Sequence, residues 1–407
     1  MTRSLIGPSR RVALTVATCV AVAMGVLGVA SPAQAAPAPR ESSTLAHTDA
    51  GPDGIAVDAY GNVYTANSRA NTVTKITPGG KATRLGNTGA TPRGIAVDSS
   101  GNVYTSNLDA NTVTKITPGG VSTVLGTTGS QPIDVAVDPS GNVYTTNYVA
   151  STVTKITPGG VSTTFAATGT HPLGIVLDSN GNLYTANEGS DTVTKITPGG
   201  ASTTFAATGG FPQAIAIDRA GNLYTANYTS RNVSKITPAG TSTILGRTGR
   251  QPIGITVDPY GTVFTTNDGS ATVSQLDHNG RSHVIARTGR RPIGITSDAA
   301  GFLYTANFVS NTVTEIYPSP RVSPNIFTLD TVTVRSPGNA SAWIIPFYND
   351  VYSSKASCLA AFPSVRAIID HNPDPSVQAA SATSYAPAPL RMCAALSSQH
   401  STTSSKT

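Results

Sequence analysis

The apolar and polar positions of this chain repeat every 40 residues, seven times in succession. The apolar run at 54–58 returns at 94–98 and 134–138 and continues to 294–298. In the second copy, four runs rich in Val, Ile, Thr and Tyr occupy 94–98, 103–107, 112–117 and 121–125, with Gly, Pro, Asn and Asp between them. Such runs are typical of short strands, and no part of the repeat has the 3.6-residue apolar spacing of a helix. The pattern therefore predicts seven copies of a four-stranded unit.

A four-stranded unit of about 40 residues is the size of one β-propeller blade. The second run of each unit supports this architecture. Val63 and Tyr64 recur as large apolar residues in every copy, although successive side chains of a strand point to opposite faces. A strand that is apolar on both faces is covered on both faces, as stacked blades require. We predict an all-β fold, a seven-bladed β-propeller with blades starting near residues 51, 91, 131, 171, 211, 251 and 291.

A displaced strand predicts how the ring closes. Residues 44–48 lie 40 residues before the similar segment 84–88, but they have no blade of their own. The seventh copy keeps three strands through Ile316 and then breaks at Pro318. The leading strand is expected to complete the last blade, which removes two exposed sheet edges. The predicted propeller spans 41–320, and an irregular C-terminal tail of unknown role, partly disordered, spans 321–407.

The N-terminal segment indicates export. Residues 1–35 combine Arg3, Arg10 and Arg11 with an apolar stretch and a small-residue cleavage site at 33–35, as a signal peptide does. The Sec route is favoured over the twin-arginine route, and an uncleaved anchor remains the alternative. Residues 36–40 are a linker. Removing the signal lowers the net charge from +6 by three arginines, and the small remaining charge argues against nucleic-acid binding. We expect a monomer, secreted or in the cell envelope, with no membrane span after cleavage.

The tail contains the single tryptophan and two cysteines, Cys358 and Cys393. An even pair of cysteines in an exported chain predicts a disulfide between them.

The repeated unit, as at 52–67, resembles NHL repeats and the related streptogramin-lyase-like repeats of secreted bacterial propellers. The resemblance covers residues 41–320. It implies a propeller that is a ligand-binding sensor, a protein-binding scaffold or, in a few cases, an enzyme. Streptogramin lyases use histidines, an acidic residue and Mg²⁺ at one mouth of the ring to open a cyclic ester by elimination. That pattern cannot be transferred residue by residue, because only His47, His171, His278 and His283 lie in the propeller.

Two polar positions recur in all copies and are explained by turns. Asp58 and its equivalents are followed by a Gly three residues later, which predicts a carboxylate that accepts hydrogen bonds from its own turn; Ca²⁺ binding is the alternative. Asn67 and its equivalents end the second strand, where an amide can satisfy the neighbouring backbone. A ring of amides around the mouth is the alternative for these residues.

The positions that break the repeat are better candidates for function. They concentrate in the loop before the first strand and in the loop between the second and third strands, which open on one face of a propeller. Together they predict a binding site at the channel mouth, formed by Asp134, Tyr148, His171, Glu188, Asp191, Phe211, Tyr228, Arg231, Arg250, Arg290, Arg291 and Phe308.

These residues predict a non-catalytic propeller that binds a small ligand or a protein partner at this mouth. The alternative is a lyase or lactone-cleaving enzyme, with His171 as the base and Glu188 or Asp191 holding a metal. A general base must lie within hydrogen-bond reach of its proton, and a hard cation needs several oxygen ligands. No cofactor is assigned to the binding protein, and Mg²⁺ or Ca²⁺ would serve the enzyme.

Overall fold

The computed structural model describes residues 40–317, together with the backbone of strands 331–335 and 342–346. The propeller comprises 28 strands. They are β1 (Ser42–His47), β2 (Pro52–Val57), β3 (Val63–Asn67), β4 (Thr72–Ile76), β5 (Ala82–Asn87), β6 (Pro92–Val97), β7 (Val103–Asn107), β8 (Thr112–Ile116), β9 (Ser122–Thr127), β10 (Pro132–Val137), β11 (Val143–Asn147), β12 (Thr152–Ile156), β13 (Ser162–Ala167), β14 (Pro172–Leu177), β15 (Leu183–Asn187), β16 (Thr192–Ile196), β17 (Ser202–Ala207), β18 (Pro212–Ile217), β19 (Leu223–Asn227), β20 (Asn232–Ile236), β21 (Ser242–Arg247), β22 (Pro252–Val257), β23 (Val263–Asn267), β24 (Thr272–Leu276), β25 (Ser282–Arg287), β26 (Pro292–Ser297), β27 (Leu303–Asn307) and β28 (Thr312–Ile316).

These strands form seven four-stranded antiparallel sheets in chain order, which confirms the predicted seven-bladed propeller. The first strands of adjacent blades contact one another around the ring, with β2 next to both β6 and β26. The fourth strand of each blade is therefore outermost. One 3-10 turn, Asp268–Ser270, interrupts the pattern. In the described part of the chain, no helix is long and apolar enough to cross a membrane.

The N-terminal strand closes the ring, as predicted. β1 pairs antiparallel with β28, from Ser42 opposite Ile316 to His47 opposite Thr312. It thereby becomes the outermost strand of the seventh blade, in the order β1-β28-β27-β26. The first and last described strands of the propeller thus share one sheet, and separating the ends requires breaking that sheet.

The core lies between blades. All five residues of every second strand are buried. Tyr64 and Val73 of the first blade, for example, pack with Ile95 and Val103 of the second. The same arrangement recurs between other neighbouring blades, because the apolar positions recur every 40 residues. Each interface between blades is therefore a small hydrophobic core, and the two apolar faces that the sequence predicted are both used.

The repeated aspartates act in turns. The Asp58 Oδ1 atom accepts hydrogen bonds from the backbone N–H groups of Tyr60 and Asn62, at 2.9 and 2.8 Å. Its Oδ2 atom accepts from the Tyr64 hydroxyl at 3.0 Å. Gly61 completes the turn with a φ of 78°, in the region that glycine reaches without steric cost. Both carboxylate oxygens are engaged by the turn and its strand, in agreement with the predicted turn role.

The repeated asparagines lie beneath the opposite face. The buried Asn107 amide accepts a hydrogen bond from the Thr105 hydroxyl at 3.0 Å and donates to the hydroxyls of Thr112 and Thr114, at 3.0 and 2.9 Å. Thr114 in turn accepts from the backbone N–H of Gly89, in the loop that enters the blade. The asparagine thus connects the loop before the first strand to the loop between the second and third strands, as expected for a structural residue.

Outside the propeller, the strands Thr331–Arg335 and Ala342–Pro346 pair as an antiparallel hairpin that the sequence did not indicate. The predicted signal peptide, the predicted disulfide between Cys358 and Cys393 and most of the tail lie outside the described residues.

Candidate functional site

The predicted mouth is a ring of paired positions on one face of the propeller. In each blade, the residue after the second strand donates its backbone N–H to the carbonyl of the residue before the first strand, as Glu188 does to His171 at 3.0 Å. We call these fourteen positions the mouth ring. The residues before the first strands are Gly51, Thr91, Gln131, His171, Phe211, Gln251 and Arg291, and those after the second strands are Ser68, Leu108, Tyr148, Glu188, Tyr228, Asp268 and Phe308.

The position before each first strand has a left-handed backbone. The six residues other than Gly51 have φ between 52° and 58°. This region is uncommon for residues with a bulky side chain, such as His171, Phe211 and Arg291, and costs roughly 1–2 kcal/mol per residue relative to glycine. Because all seven blades adopt the same conformation, the fold imposes it. Glycine would be the least strained residue here, yet six copies carry a side chain.

Three blades contribute to an aromatic–acidic cluster formed by Tyr148, His171, Glu188 and Gln213. The Tyr148 hydroxyl donates to Glu188 Oε2 at 2.8 Å, and Gln213 Nε2 donates to Glu188 Oε1 at 2.9 Å. The rings of Tyr148 and His171 stack, with centroids 4.5 Å apart and planes 14° apart. The hydrogen bond to the Glu188 carboxylate, with a smaller contribution from burial, raises the pKa of Tyr148. The cluster therefore presents an aromatic surface and a fixed carboxylate side by side.

Sequence reasoning missed Gln213. It occupies the second position of the first strand, where four other blades have Ile or Leu. This departure from the repeat was a usable signal, but it lies on a strand, whereas most of the predicted mouth residues lie in loops. A polar side chain on an innermost strand lies next to the channel, and here it reaches the carboxylate of the preceding blade.

Next to this cluster, Gln251 Nε2 donates to the Tyr228 hydroxyl at 2.6 Å, and Phe211 exposes 45% of its surface. Asp191 has a different environment. Its Oδ1 atom accepts from the backbone N–H of Phe211 at 2.7 Å, as the equivalent Asn71 does from Thr91 at 2.8 Å. Asp191 thus fixes the loop that carries Phe211. Arg231, in the equivalent position of the next blade, is exposed on its loop.

The opposite side of the mouth carries positive charge. The guanidinium carbons of Arg69 and Arg291 lie 4.4 and 5.0 Å from the centroid of the Phe308 ring. Arg291 Nε lies 3.5 Å from Asp268 Oδ1. We call Arg69, Arg291 and Phe308 the cationic sector. It belongs to the seventh and first blades, across the ring from the aromatic–acidic cluster.

Two further groups of charged residues border the cationic sector. On the innermost strands, Arg93 Nε lies 3.3 Å from Asp53 Oδ2. Arg250 and Arg290 are exposed on the neighbouring loops. Neither Arg69 nor Arg93 was predicted as a mouth residue, although each is an unusual residue at its repeat position.

Asp134 lies on the first strand of the third blade and connects it to the fourth. Its Oδ1 atom accepts from the N–H of Val135 at 2.9 Å, and its Oδ2 atom from the N–H of Ile175 at 3.1 Å. Burial raises the pKa of this carboxyl to about 6, and the two backbone hydrogen bonds oppose the rise. Asp134 thus contacts the backbone of the next blade, whereas the sequence analysis expected it to take part in ligand binding.

These residues do not fit the Mg²⁺ or Ca²⁺ centre that the enzyme alternative requires. Both Glu188 oxygens accept hydrogen bonds from neighbouring side chains, and Asp191 is engaged by the loop backbone. A hard cation prefers several converging oxygen ligands. Within residues 40–317, no group of three or more His, Cys, Asp or Glu residues is placed to hold a metal ion.

Comparison with known proteins gives the following matches. The model of the virginiamycin B lyase family matches residues 83–335. A streptogramin B lyase structure aligns with a TM-score of 0.62 at 17% identity, over 69% of this chain and 98% of that chain. A catalytically inactive virginiamycin B lyase from Staphylococcus aureus with quinupristin gives 0.61 at 21% identity, over 68% and 98% of the two chains.

The hydrazine synthase of Kuenenia stuttgartiensis also aligns, with a TM-score of 0.59 at 18% identity, over 67% of this chain and 97% of that chain. At such identities these structures show that the propeller fold is shared, and a shared fold does not by itself establish an activity. A search of curated proteins gave no match.

Proposed function

This chain belongs to the virginiamycin B lyase family, and we propose that its propeller binds a small organic ligand at the mouth ring without catalysing a reaction on it. The ligand would lie between the aromatic–acidic cluster and the cationic sector. Small-molecule sites typically combine apolar and aromatic surface with a few placed polar groups, and the mouth ring offers both. The family membership agrees with the resemblance to streptogramin-lyase-like repeats drawn from the sequence.

One observation carries the non-catalytic proposal. The carboxylate of Glu188, whose backbone N–H donates to the His171 carbonyl, accepts hydrogen bonds at both oxygens from Tyr148 and Gln213. A carboxylate held in this way is well suited to a fixed role in recognition. As a metal ligand it would have to exchange both hydrogen bonds for coordination, and within residues 40–317 no group of three or more His, Cys, Asp or Glu residues is placed to hold a metal ion.

Family membership favours one second function, the opening of a cyclic ester by elimination. In that case His171 would take the proton, and it would need a substrate C–H within hydrogen-bond reach of its ring nitrogen. His171 is exposed at the mouth, so its ring is accessible. Its face is covered on one side by Tyr148, which leaves the ring edge for such a contact.

Export remains part of the proposal. The arginine-containing and apolar segment at 1–35 would direct the protein out of the cytoplasm, and a propeller acting outside the cell would meet its ligand in the surroundings or in the envelope.

Turnover of quinupristin separates the two functions. The full-length protein is incubated with quinupristin, with and without added Mg²⁺, and the mixture is resolved by reversed-phase chromatography with tandem mass spectrometry. Elimination adds no water, so an opened ring would appear as a linear isomer of unchanged mass at a new retention time. We expect no such isomer, and its formation by the wild type but not by His171→Ala would establish the second function instead.

Binding is tested by a thermal-shift screen of small organic molecules, with quinupristin among them. We expect at least one compound to stabilise the wild type and to lose most of this effect in Glu188→Gln. The control variant is Glu41→Gln, since Glu41 is an exposed carboxylate next to the outermost strand and far from the mouth. A screen in which no stabilising compound depends on Glu188 would contradict the proposed site.

A further inference from the structure

Gly51 is the one glycine among the seven residues that precede first strands. Its φ of 71° would be accessible to other residues, because six equivalents adopt left-handed backbones with side chains. The reason for glycine is steric. A Cβ atom at residue 51 would lie 2.8 Å from Arg69 Cγ and 3.1 Å from Arg69 Cβ, closer than carbon atoms pack. The absence of a side chain at residue 51 leaves the space that the Arg69 stem occupies.

In this position the Arg69 guanidinium lies over Phe308, in the neighbouring blade. Its carbon atom is 4.4 Å from the ring centroid, within the range of a cation–π contact. The Arg291 guanidinium reaches the same ring at 5.0 Å. Two like charges on one aromatic ring repel each other, and an anion that binds near both of them relieves this repulsion.

The surrounding carboxylates compensate two of the nearby arginines, Arg291 and Arg93. Arg291 pairs with Asp268, and Arg93 pairs with Asp53. Among the residues that the structure describes, Arg69 forms no ion pair. Of Arg69, Arg93 and Arg291, only Arg69 has no carboxylate partner, so an uncompensated positive charge is located at its exposed guanidinium. Such a charge beside an aromatic ring suits an anion that carries an apolar group, and the exposed Arg290 next to Arg291 adds to the positive potential.

We propose that Arg69, Arg291 and Phe308 form a subsite for the carboxylate of a small organic acid, with Gly51 as the residue that admits Arg69 to it. The guanidinium fork matches the two oxygens of a carboxylate, and the Phe308 ring contacts the adjoining apolar part of the ligand. This subsite rests on the proposed function, because it names the class of ligand that the mouth takes.

A matched pair of probes tests the subsite. The full-length protein is titrated with 4-fluorobenzoate and with 4-fluorobenzamide, and binding is followed by ¹⁹F NMR. The two probes have nearly the same size and differ in charge. We expect the carboxylate to bind about tenfold more tightly than the amide, a difference of about 1.4 kcal/mol. The preference should decrease as the salt concentration rises, because exposed charges are screened.

Two variants locate the preference. Arg69→Met keeps an unbranched apolar stem and removes the charge, so the preference for the carboxylate should fall about threefold or more, given that Arg291 remains. Gly51→Ala should have a similar effect by displacing Arg69. Its control is Gly261→Ala, because Gly261 has a φ of 83° but no atom within 4 Å of an added Cβ. Arg219→Met, at an exposed arginine in a turn of the opposite face, controls for the loss of charge alone.

The outcomes separate this inference from the proposed function. A carboxylate preference that is lost in Arg69→Met and Gly51→Ala but kept in both controls supports the subsite. Equal binding of the two probes, no binding of either, or an equal loss in Arg219→Met overturns it. If a compound from the thermal-shift screen still depends on Glu188 in those cases, the mouth is a ligand site and only its anion subsite is wrong.

Discussion

Closure of the ring by β1 can be tested by removing that strand. Residues 41–48 contribute five register pairs with β28, from Ser42 opposite Ile316 to His47 opposite Thr312. Two backbone hydrogen bonds flank this ladder, from Tyr317 N–H to the Glu41 carbonyl at 3.0 Å and from Thr48 N–H to the Asn311 carbonyl at 2.9 Å. Ala46 is also buried against Val63 and Phe302. Deletion removes all of these contacts and leaves β28 as an open edge.

The expected loss is large relative to the stability of a domain. About five hydrogen bonds at roughly 1 kcal/mol net each amount to about 5 kcal/mol, against the roughly 5–15 kcal/mol by which domains are stable. For a propeller of this size, the melting temperature should fall by about 10 °C or more. The exposed edge of β28 should also pair with other molecules. Circular dichroism gives the melting temperature, and size-exclusion chromatography with light scattering gives the mass.

A point variant and a peptide make this test specific. Ala46→Asp places a charge in the core between the last and first blades, whereas His47→Asp places it on an exposed side chain of the same strand. Only Ala46→Asp should lower the melting temperature markedly. A synthetic peptide of residues 40–48 should restore a monomer when it is added to the deletion variant. A deletion variant that stays monomeric and melts at the wild-type temperature would refute closure by β1.

Three further predictions concern single positions. Burial raises the pKa of Asp134 from 3.8 to about 6, so the folded protein holds this proton more tightly than the unfolded chain. The contribution of the protonated Asp134 carboxyl to the free energy of unfolding is fully present below about pH 4 and is lost as the pH rises through about 6. Urea denaturation gives the free energy of unfolding of the wild type and of Asp134→Asn. The wild-type value minus the variant value should fall from pH 4 to pH 7, and a difference that stays constant would contradict the raised pKa. The double variant Arg290→Ala, Arg291→Ala should fold normally and bind a carboxylate ligand at least about tenfold more weakly by titration, whereas Lys75→Ala on a third strand should change binding little. Asn107→Leu should lower the free energy of unfolding in urea by about 2–3 kcal/mol, because three buried hydrogen bonds are lost; a loss below about 1 kcal/mol would show that the amide is dispensable.

The repeat made the fold predictable because every blade carries the same local signals. The strands, their order and the closure by β1 follow from apolar positions and turn residues that recur at fixed spacing. Strand ends were less predictable. Strand β6 begins at Pro92, two residues before the predicted run at 94–98, because proline is tolerated as the first residue of a strand.

The mouth was predictable as a set of loops but not as a set of contacts. Tyr148 and Glu188 are 40 residues apart, and Gln213 is 25 residues further along the chain, so their hydrogen bonds depend on how the blades stack. The hydrogen-bond partners of the carboxylates were also not predictable from the sequence. Asp191 and Glu188 both occupy variable loop positions, yet one binds the backbone of its loop and the other binds two side chains. Backbone geometry makes this difference, and the sequence does not state it.

The contact between Gly51 and Arg69 is the clearest example of a feature that the sequence did not predict. A glycine at residue 51 looks like an ordinary turn residue, because glycine is the least strained choice where φ is positive. It becomes informative only when six equivalents are known to reach the same φ with side chains and when Arg69 is seen in the space thus left. The departure from the repeat was visible at both positions, but their relation required the structure.

The division of labour within each blade explains why the mouth can differ so much from blade to blade. The buried asparagine and the threonine beside it fix both loops through side chains that lie beneath the surface, as Asn107 and Thr114 do for the second blade. The loop conformation therefore does not depend on which residue follows the second strand or precedes the first. Leu, Tyr, Glu, Asp and Phe occupy the former position without altering the strand pairing of their blades. The sevenfold repeat supplies a rigid frame. One side of the mouth is acidic and aromatic and the other side is cationic, and this variation is confined to positions that do not affect the frame.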